Sequence, residues 1–349
     1  MTVDAVKLAQ DLIQCPSVTP ADEGAQKVLK DSLTPMGFEC TDLQFEDIIN
    51  FYARLGKTGK HLCFCGHTDV VPVGDEGAWT YPPFSATIAN GRLYGRGASD
   101  MKTNICCFVA AVSEYLAEND GFDGSISLLV TGDEEALAIN GTVKVLEWMA
   151  DHDEVPDVAL VGEPSNPKNH GDQIKIGRRG SLTGHLKVKG VQGHVAYHEK
   201  ADNPLPRLIK LLDKLANLKL DDGTDHFQPS NLEISTIDVG NTADNVIPAN
   251  GSAKFNIRFN DTWSGATLDR FIRQALDSVG EPYELETIIG GESFLTAPGE
   301  WTAVVSGAVE AVTGRQPALT TEGGTSDARF VTNYAPVVEY GLINETIHQ

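Results

Sequence analysis

His67 and Asp69 stand two residues apart in FCGHTDVVP, Phe64 to Pro72, directly after the apolar run His61 to Cys65. A histidine at that point can ligate a metal. An aspartate two positions on points the same way in an extended segment, where its carboxylate can fix the ring's tautomer and raise its basicity. Further candidates follow along the chain: Asp100 after GRGAS, adjacent Glu134 and Glu135 in TGDEEA, Glu163 in VGEPS, and His348 in GLINETIHQ. Two histidines and several carboxylates suit a divalent metal site of the zinc type. With five candidate ligands and a spare carboxylate, a pair of metals bridged by one carboxylate fits, an arrangement that clamps a reaction and generates hydroxide near neutral pH. Of the two adjacent glutamates, one can ligate while the other, unligated, takes a proton from the metal-bound water.

Each residue taken singly also has a plainer explanation. Adjacent acids commonly start a helix, where they favour its dipole. Asp100 serves as a helix cap, Glu163 before Pro164 as a turn residue, and His348 beside the chain end as a surface histidine. These explanations weaken together, because the elements bring all of the residues to one edge.

Amphipathic spacing predicts helices over Val3 to Ile13, Gly24 to Leu33 and Met101 to Leu116, the last capped by Ser99 or Asp100. His61 to Cys65, SISLLVT (Ser125 to Thr131) and VALV (Val158 to Val161) read as strands, with a helix over Thr142 to Met149. This is the α/β pattern of a buried sheet between helices. Ligands of open α/β sheets bind beyond the carboxyl ends of the strands, and there each strand delivers an acid or a histidine. From Gly180 the pattern changes to period-two strands, SLTGHLKVKGV, NLEISTIDVG and SAKFNIRFN, with helices over Leu205 to Leu215 and Ala266 to Val279. After Gly291 the α/β pattern returns, with a helix over Trp301 to Val312 and a strand over Val337 to Tyr340. The expectation is a discontinuous α/β domain, 1–179 and 293–349, interrupted by an inserted α+β domain, 180–292.

The chain has 349 residues, 41% apolar and 22% charged, with 27 basic against 49 acidic residues and a net charge of −22. Such a balance disfavours nucleic acid as a partner. The N-terminus lacks the basic start and apolar core of a signal peptide, and no apolar run spans a membrane, so a cytoplasmic location is expected. The six cysteines show no CxxC pair and no disulfide framework, and read as buried thiols. GRLYGRGASD holds only part of a dinucleotide fingerprint and is discounted as a cofactor loop.

GHTDVVP, GRGASDMK, TGDEEA, VGEPS and GGTSDARF, in this order, resemble the metallopeptidase and deacylase family of the aminoacylase and carboxypeptidase type. IGRRGSLTGHLKVKGVQGHVAY, ADNP, NVIPAN and GLINETIHQ resemble its branch that cleaves N-succinyl-LL-2,6-diaminopimelate. The resemblance covers nearly the whole chain. It implies a zinc-peptidase-like catalytic domain with an inserted lid that pairs two chains into a homodimer. It implies two zinc ions, with cobalt or manganese as substitutes: His67 and Glu163 on one, Glu135 and His348 on the other, and Asp100 bridging. Asp69 would orient His67, and Glu134 would be the general base. His194 of the lid would polarise the amide oxygen in the partner's site, although its bare spacing also suits a strand-end surface residue. Arg178, Tyr197, Asn245, Arg258, Thr325 and Asn344 would bind the substrate. Alternatives are an N-acetylornithine deacetylase or another acyl-amino-acid deacylase, and a metal-binding or assembly protein without turnover. The sequence departs from the pattern at His198 and at Asp244, where relatives often carry proline and asparagine. Relatives also usually continue past the position of Gln349 with a helix over the outer domain.

Overall fold

A computed structural model describes residues 2–119 and 121–348. It divides into two compact units. The first comprises Met1–Ile176, Thr296–Thr320 and Ser326–Gln349, and the second Gly177–Leu295 with Thr321–Thr325. The sequence set the boundaries at 179/180 and 292/293. The structure moves them outward because Gly177 and Arg178 pair with Leu295 and Phe294 as a two-stranded ribbon of the second unit. Met1 and Gln349, the outer limits of the expected catalytic domain, lie outside the described residues.

The first unit is built on an eight-stranded sheet in the order Glu39–Phe45, Ile48–Leu55, Ser125–Thr131, His61–His67, Val158–Val161, Val337–Glu339, Gln173–Lys175 and Ala318–Thr320. Its four central strands, Ser125–Thr131 through Val337–Glu339, run parallel, so their carboxyl ends share one edge. They are short apolar runs buried on both faces, as a parallel sheet between helices requires. Helices Ala5–Ile13, Ala25–Leu33 and Lys102–Glu118 cover one face, packing Leu8, Leu12, Leu29, Leu33, Ile105 and Val109 with Phe51, Phe64 and Leu128. Asp4 starts the first helix by accepting the N–H groups of Val6 (2.9 Å) and Lys7 (3.1 Å).

The second unit is a four-stranded antiparallel sheet in the order Asn231–Asp238, Asn250–Phe259, Gly180–Lys189, Glu284–Gly291. Helices Leu205–Ala216 and Gly265–Asp277 lay Leu208, Leu211, Leu215, Leu268, Ile272 and Leu276 on Leu182, Leu186, Phe255 and Ile257. Gly184 lets the Phe255 ring lie flat on the neighbouring strand, since a Cβ there would meet its Cζ at 2.1 Å. This is the α+β pattern that the period-two runs predict.

One anchor supports the turn that carries Asp100. The helix after it starts at Lys102 rather than Met101, and its N-cap, Met101, makes no side-chain cap. Neither Ser99 nor Asp100 caps it: Ser99 Oγ donates to the Ile343 carbonyl at 2.9 Å, and the Asp100 carboxylate faces the site described below. Lys102 is fully buried and donates its Nζ to the carbonyls of Leu12 (3.0 Å) and Cys15 (2.8 Å), which ties this turn to the end of the first helix. Burial pulls its ammonium down to about 8. Lys102→Met keeps the volume but leaves two carbonyls without this donor. It is expected to lower stability by about 1–3 kcal/mol in urea unfolding, and a loss below experimental error would show that the anchor contributes nothing.

Candidate metal centre

The carboxyl edge of the first unit's sheet gathers the polar residues. His67 is the last residue of its strand, two positions further along than the apolar run suggests. Asp133, Glu134 and Glu135 form a turn beyond Thr131, and Glu163 lies just beyond Val161. Gly162 before it is required, because a Cβ would meet Phe64 Cζ at 2.4 Å and Met101 Cε at 2.7 Å. The segment leading to His348 is held by Leu342 N–H to Asn104 Oδ1 (3.0 Å) and Asn344 N–H to the Asn166 carbonyl (2.8 Å).

His67 Nε2 lies 3.4 Å from Asp100 Oδ1, 3.6 Å from Glu163 Oε1 and 4.0 Å from Glu134 Oε2. His348 Nε2 lies 3.3 Å from Asp100 Oδ2 and 3.2 Å from Glu135 Oε1. Donor atoms at the usual zinc distances on a tetrahedron are separated by about 3.3 Å. The spacings around both histidines match that edge length, and Glu134 is the outlier. Asp100 turns one oxygen to each histidine, the geometry of a bridging carboxylate. His67 also forms compact donor groups with Asp100 and Glu135 and with Glu134 and Glu163, in each of which all ligand atoms lie within 4.8 Å of one another.

Among the buried atoms here without a hydrogen-bond partner are His67 Nε2 and Asp100 Oδ1. They face each other at 3.4 Å. Unpartnered buried polar atoms are costly, and a shared cation between them removes the cost. The donor set and these orphaned atoms fit a divalent metal pair.

The electrostatics follow from the crowding. Burial raises the Glu134 carboxyl well above its ordinary range, with the Glu163 charge adding to the effect. Burial and the Asp100 charge push Glu163 up to about 7. Burial opposes charge on His67, but the carboxylates of Asp100, Asp69 and Glu163 beside the ring outweigh it and hold its pKa well above the usual range. Burial raises Glu135. The Asp100 carboxylate beside His348 raises that ring as well. Asp100 itself is held below the usual carboxylate range, the two histidines overcoming its burial.

Asp69 lies against both the His67 ring and the glutamate turn. Nδ1 of the ring sits 2.9 Å from the Asp69 backbone carbonyl and 3.5 Å from its Oδ1. The carboxylate also accepts backbone N–H groups, Glu134 on Oδ1 at 3.2 Å and Glu135 on Oδ2 at 3.0 Å. The two glutamates therefore sit on a turn rather than at a helix start.

The remaining expected residues fall elsewhere. In the second unit, exposed His194 accepts the Ala196 N–H on Nδ1 at 3.0 Å, which leaves the proton of its neutral ring on Nε2. Asn245 Nδ2 lies 3.4 Å from that Nε2, and the Tyr197 ring is centred 5.7 Å from the imidazole. Arg178 donates to the Glu322 carbonyl at 3.3 Å, within the same unit as Thr325. Burial and the like charge of Arg179 lower the half-buried Arg258 guanidinium. His198 and Asp244 are exposed. Asn344 belongs to the first unit. The sequence missed Asp327, although GGTSDARF contains it. This buried acid lines a cavity of about 10 Å³ with His67, Glu134, Thr142 and Glu163. Its motif was the only available signal, since a fully buried aspartate has no periodicity of its own.

Residues 63–349 match the family model of peptidase family M20/M25/M40. The chain belongs to that family. It is 54% identical over 354 residues to a succinyl-diaminopimelate desuccinylase of Rhodospirillum centenum, covering 100% of this chain and 92% of that protein. A protein of the same name from Parvibaculum lavamentivorans is 54% identical over 355 residues, covering 99% and 89%. Among solved structures, an M20 metallo-carboxypeptidase of Sulfolobus solfataricus superposes with a TM-score of 0.80 at 19% identity, covering 97% of this chain and 91% of that one. A dinuclear metal-binding M20 peptidase of Bacillus subtilis gives 0.70 at 16% identity, covering 97% and 88%. These two likenesses establish the M20 fold. Among the described residues, no helix is long and apolar enough to cross a membrane.

A metal entering this M20 centre must displace protons, because Glu163 and His67 bind them strongly without it. Ligation needs the deprotonated forms, so affinity falls as protons reoccupy the site. Zinc affinity of the stripped protein is expected to drop as pH falls through 7, with proton release seen by calorimetry in buffers of different ionisation enthalpy. Affinity independent of pH between 6 and 8 would show that these groups do not ligate.

Proposed function

We propose that the chain hydrolyses the amide bond of N-succinyl-LL-2,6-diaminopimelate to succinate and LL-2,6-diaminopimelate, a step toward lysine and peptidoglycan precursors. The observation that carries this reading is the paired-histidine centre with its shared Asp100, on a chain 54% identical over its whole length to a protein of that activity. His67 and Glu163 would hold one divalent ion and Glu135 and His348 the other, with Asp100 offering an oxygen to each. Zinc is the first choice of ion, with cobalt or manganese as substitutes. When bound, such a pair supplies Lewis acidity and lowers the pKa of water toward neutrality.

Glu134 is the general base. Its carboxylate stands further from His67 than those of Asp100 and Glu163 do, and its raised pKa lets it both take a proton from the attacking water and return it to the leaving amine. His194 donates from Nε2 to the developing oxyanion, a role its tautomer supports. Arg178 and Arg258 recognise substrate carboxylates, where a planar guanidinium fork binds best, and Tyr197, Asn245, Thr325 and Asn344 complete the substrate site. The protein works as a cytoplasmic homodimer paired through the inserted domain, with His194 serving the partner's centre.

The first test offers zinc-loaded protein N-succinyl-LL-diaminopimelate and N-acetylornithine. Turnover of the succinyl compound alone, abolished by a chelator, is expected. Preference for the acetyl compound would reassign the substrate, and turnover of neither would favour a metal-binding or assembly role. Glu134→Ala should lower kcat by about 10²–10⁴-fold while two equivalents of metal stay bound. Loss of metal along with activity would make Glu134 a ligand rather than a base.

Mixing subunits tests the arrangement across the dimer. Glu134→Ala and His194→Ala are each expected to be nearly inactive alone. Refolded together, they form hybrid dimers in which one centre has both an intact Glu134 and the partner subunit's intact His194, and activity should return. No recovery in demonstrated hybrid dimers would remove the role of His194 across the interface.

A further inference from the structure

We infer that Asp327 is a positioning residue for the general base: together with Thr142 it holds one buried water molecule that bridges its carboxylate to that of Glu134. The role of Glu134 rests on the function proposed above. The water site itself does not.

Asp327 is only 5% exposed, and among the described residues neither of its carboxylate oxygens has a hydrogen-bond partner. The two ordinary uses of an aspartate at this point are not taken up. It is the N-cap of the short helix Ala328–Val331, yet its side chain caps nothing. Arg329 Nη2 lies 3.8 Å from Oδ1, beyond hydrogen-bond reach, and that guanidinium lies over the Phe330 ring, 4.3 Å from its centre. The backbone here is fixed all the same. Ser326 Oγ donates to buried Glu339, and the Asp327 carbonyl accepts the Phe330 N–H at 2.9 Å. A buried carboxylate held in place with both oxygens open needs donors.

The cavity that Asp327 lines has a volume of about 10 Å³, the room of one water. His67, Glu134, Thr142 and Glu163 line it as well, which gives a water its polar partners. It lies behind the metal ligands, toward the sheet: Cys65 and Val161 also line it, each two residues before a ligand along the chain. Asp100, Glu135 and His348 are not among its walls, so it is not the space that two ions would share.

Glu134 needs such a partner. Among the described residues its carboxylate makes no hydrogen bond, and its ion-pair partner, His67 Nε2, stands 4.0 Å away. A catalytic base works when a further group orients it. Burial and the Glu163 charge raise Glu134, and the Asp327 charge adds to them, so the two carboxylates lie in each other's field. A water has two hydrogens. Donating one to each carboxylate, it replaces repulsion between like charges with two charge-assisted hydrogen bonds, while its own oxygen accepts the Thr142 hydroxyl.

The test is a set of high-resolution crystal structures, metal-free and zinc-loaded, of the wild type, Asp327→Ala, Asp327→Asn and Thr142→Val, with kinetics and metal content for each. The wild type should show a water within hydrogen-bond distance of both Asp327 and Glu134. In Asp327→Ala that bridge should be lost and the Glu134 carboxylate should rotate. Its kcat should fall by about 10- to 100-fold, with KM and two bound equivalents of metal kept. Asp327→Asn keeps one oxygen to accept from the water, so part of the rate should return. Thr142→Val keeps the shape of the side chain and removes one partner of the water, so kcat should fall by less. A wild-type cavity without that water, or with a water that touches Asp327 but not Glu134, overturns the inference. So does an Asp327→Ala enzyme with unchanged kcat. Should Asp327→Ala fail to fold, Asp327→Asn and Thr142→Val decide through the same water and the same split between kcat and KM. If the wild type turns over neither substrate, the proposed function fails and the structures alone decide: a water between the two carboxylates, with rotation of Glu134 on its loss, supports the inference, and an unmoved Glu134 overturns it.

Discussion

Mutual repulsion among buried carboxylates is the constraint on which the first unit's site depends. Asp100, Glu134, Glu135 and Glu163 crowd around two histidines at the edge of a buried sheet, and burial raises three of the four acids. Charges so placed are unfavourable unless protons or cations compensate them. The protein tolerates the arrangement because the backbone beneath it is fixed by bonds that do not involve the site's own side chains. Lys102 anchors the Asp100 turn from behind, Asn166 and Asn104 hold the segment that leads to His348, and Asp69 holds the glutamate turn. Each anchor has a fixed backbone group as one of its partners, so the donor geometry is retained when the site's protonation changes.

The ligand candidates were legible in the sequence because the topology is simple. Four parallel strands place their carboxyl ends together, and a residue that follows such a strand needs no further information to be assigned to that edge. Ser125–Thr131 and Val158–Val161 coincide with their apolar runs, and the acids after them fall where the runs end. Other elements carried no such signal. The hairpin of Glu39–Phe45 and Ile48–Leu55 lies at the outer edge of the sheet, and the burial along its first strand does not alternate. Gln173–Lys175 and Ala318–Thr320 are three residues each and too short for any period.

The plainer explanations fail here for one cause. Asp100 as a cap and Glu134 and Glu135 as a helix start both follow from local rules, which assume that a regular element continues through the residue. At the sheet edge the elements stop. The helix after Asp100 begins two residues later, TGDEEA forms a turn, and the strand through His67 ends at His67 itself. Local propensity there is overridden by contacts to residues far along the chain, such as Ser99 with Ile343 and Asp69 with Glu134.

The partner that Asp69 finds follows from strand pairing. His61–His67 and Ser125–Thr131 are parallel neighbours with His67 opposite Thr131, and neighbouring strands lie about 4.8 Å apart. Two residues past His67 therefore faces two to four residues past Thr131, which is where Asp133, Glu134 and Glu135 lie. Thr68 N–H still bonds the Thr131 carbonyl at 2.9 Å, so the two chains remain in register as they leave the sheet. A short acid placed just after one strand thus meets the open amides just after the next, where no strand continues to pair them. The sequence spacing between position 69 and positions 134 and 135 conceals this, but the register of the two strands requires it.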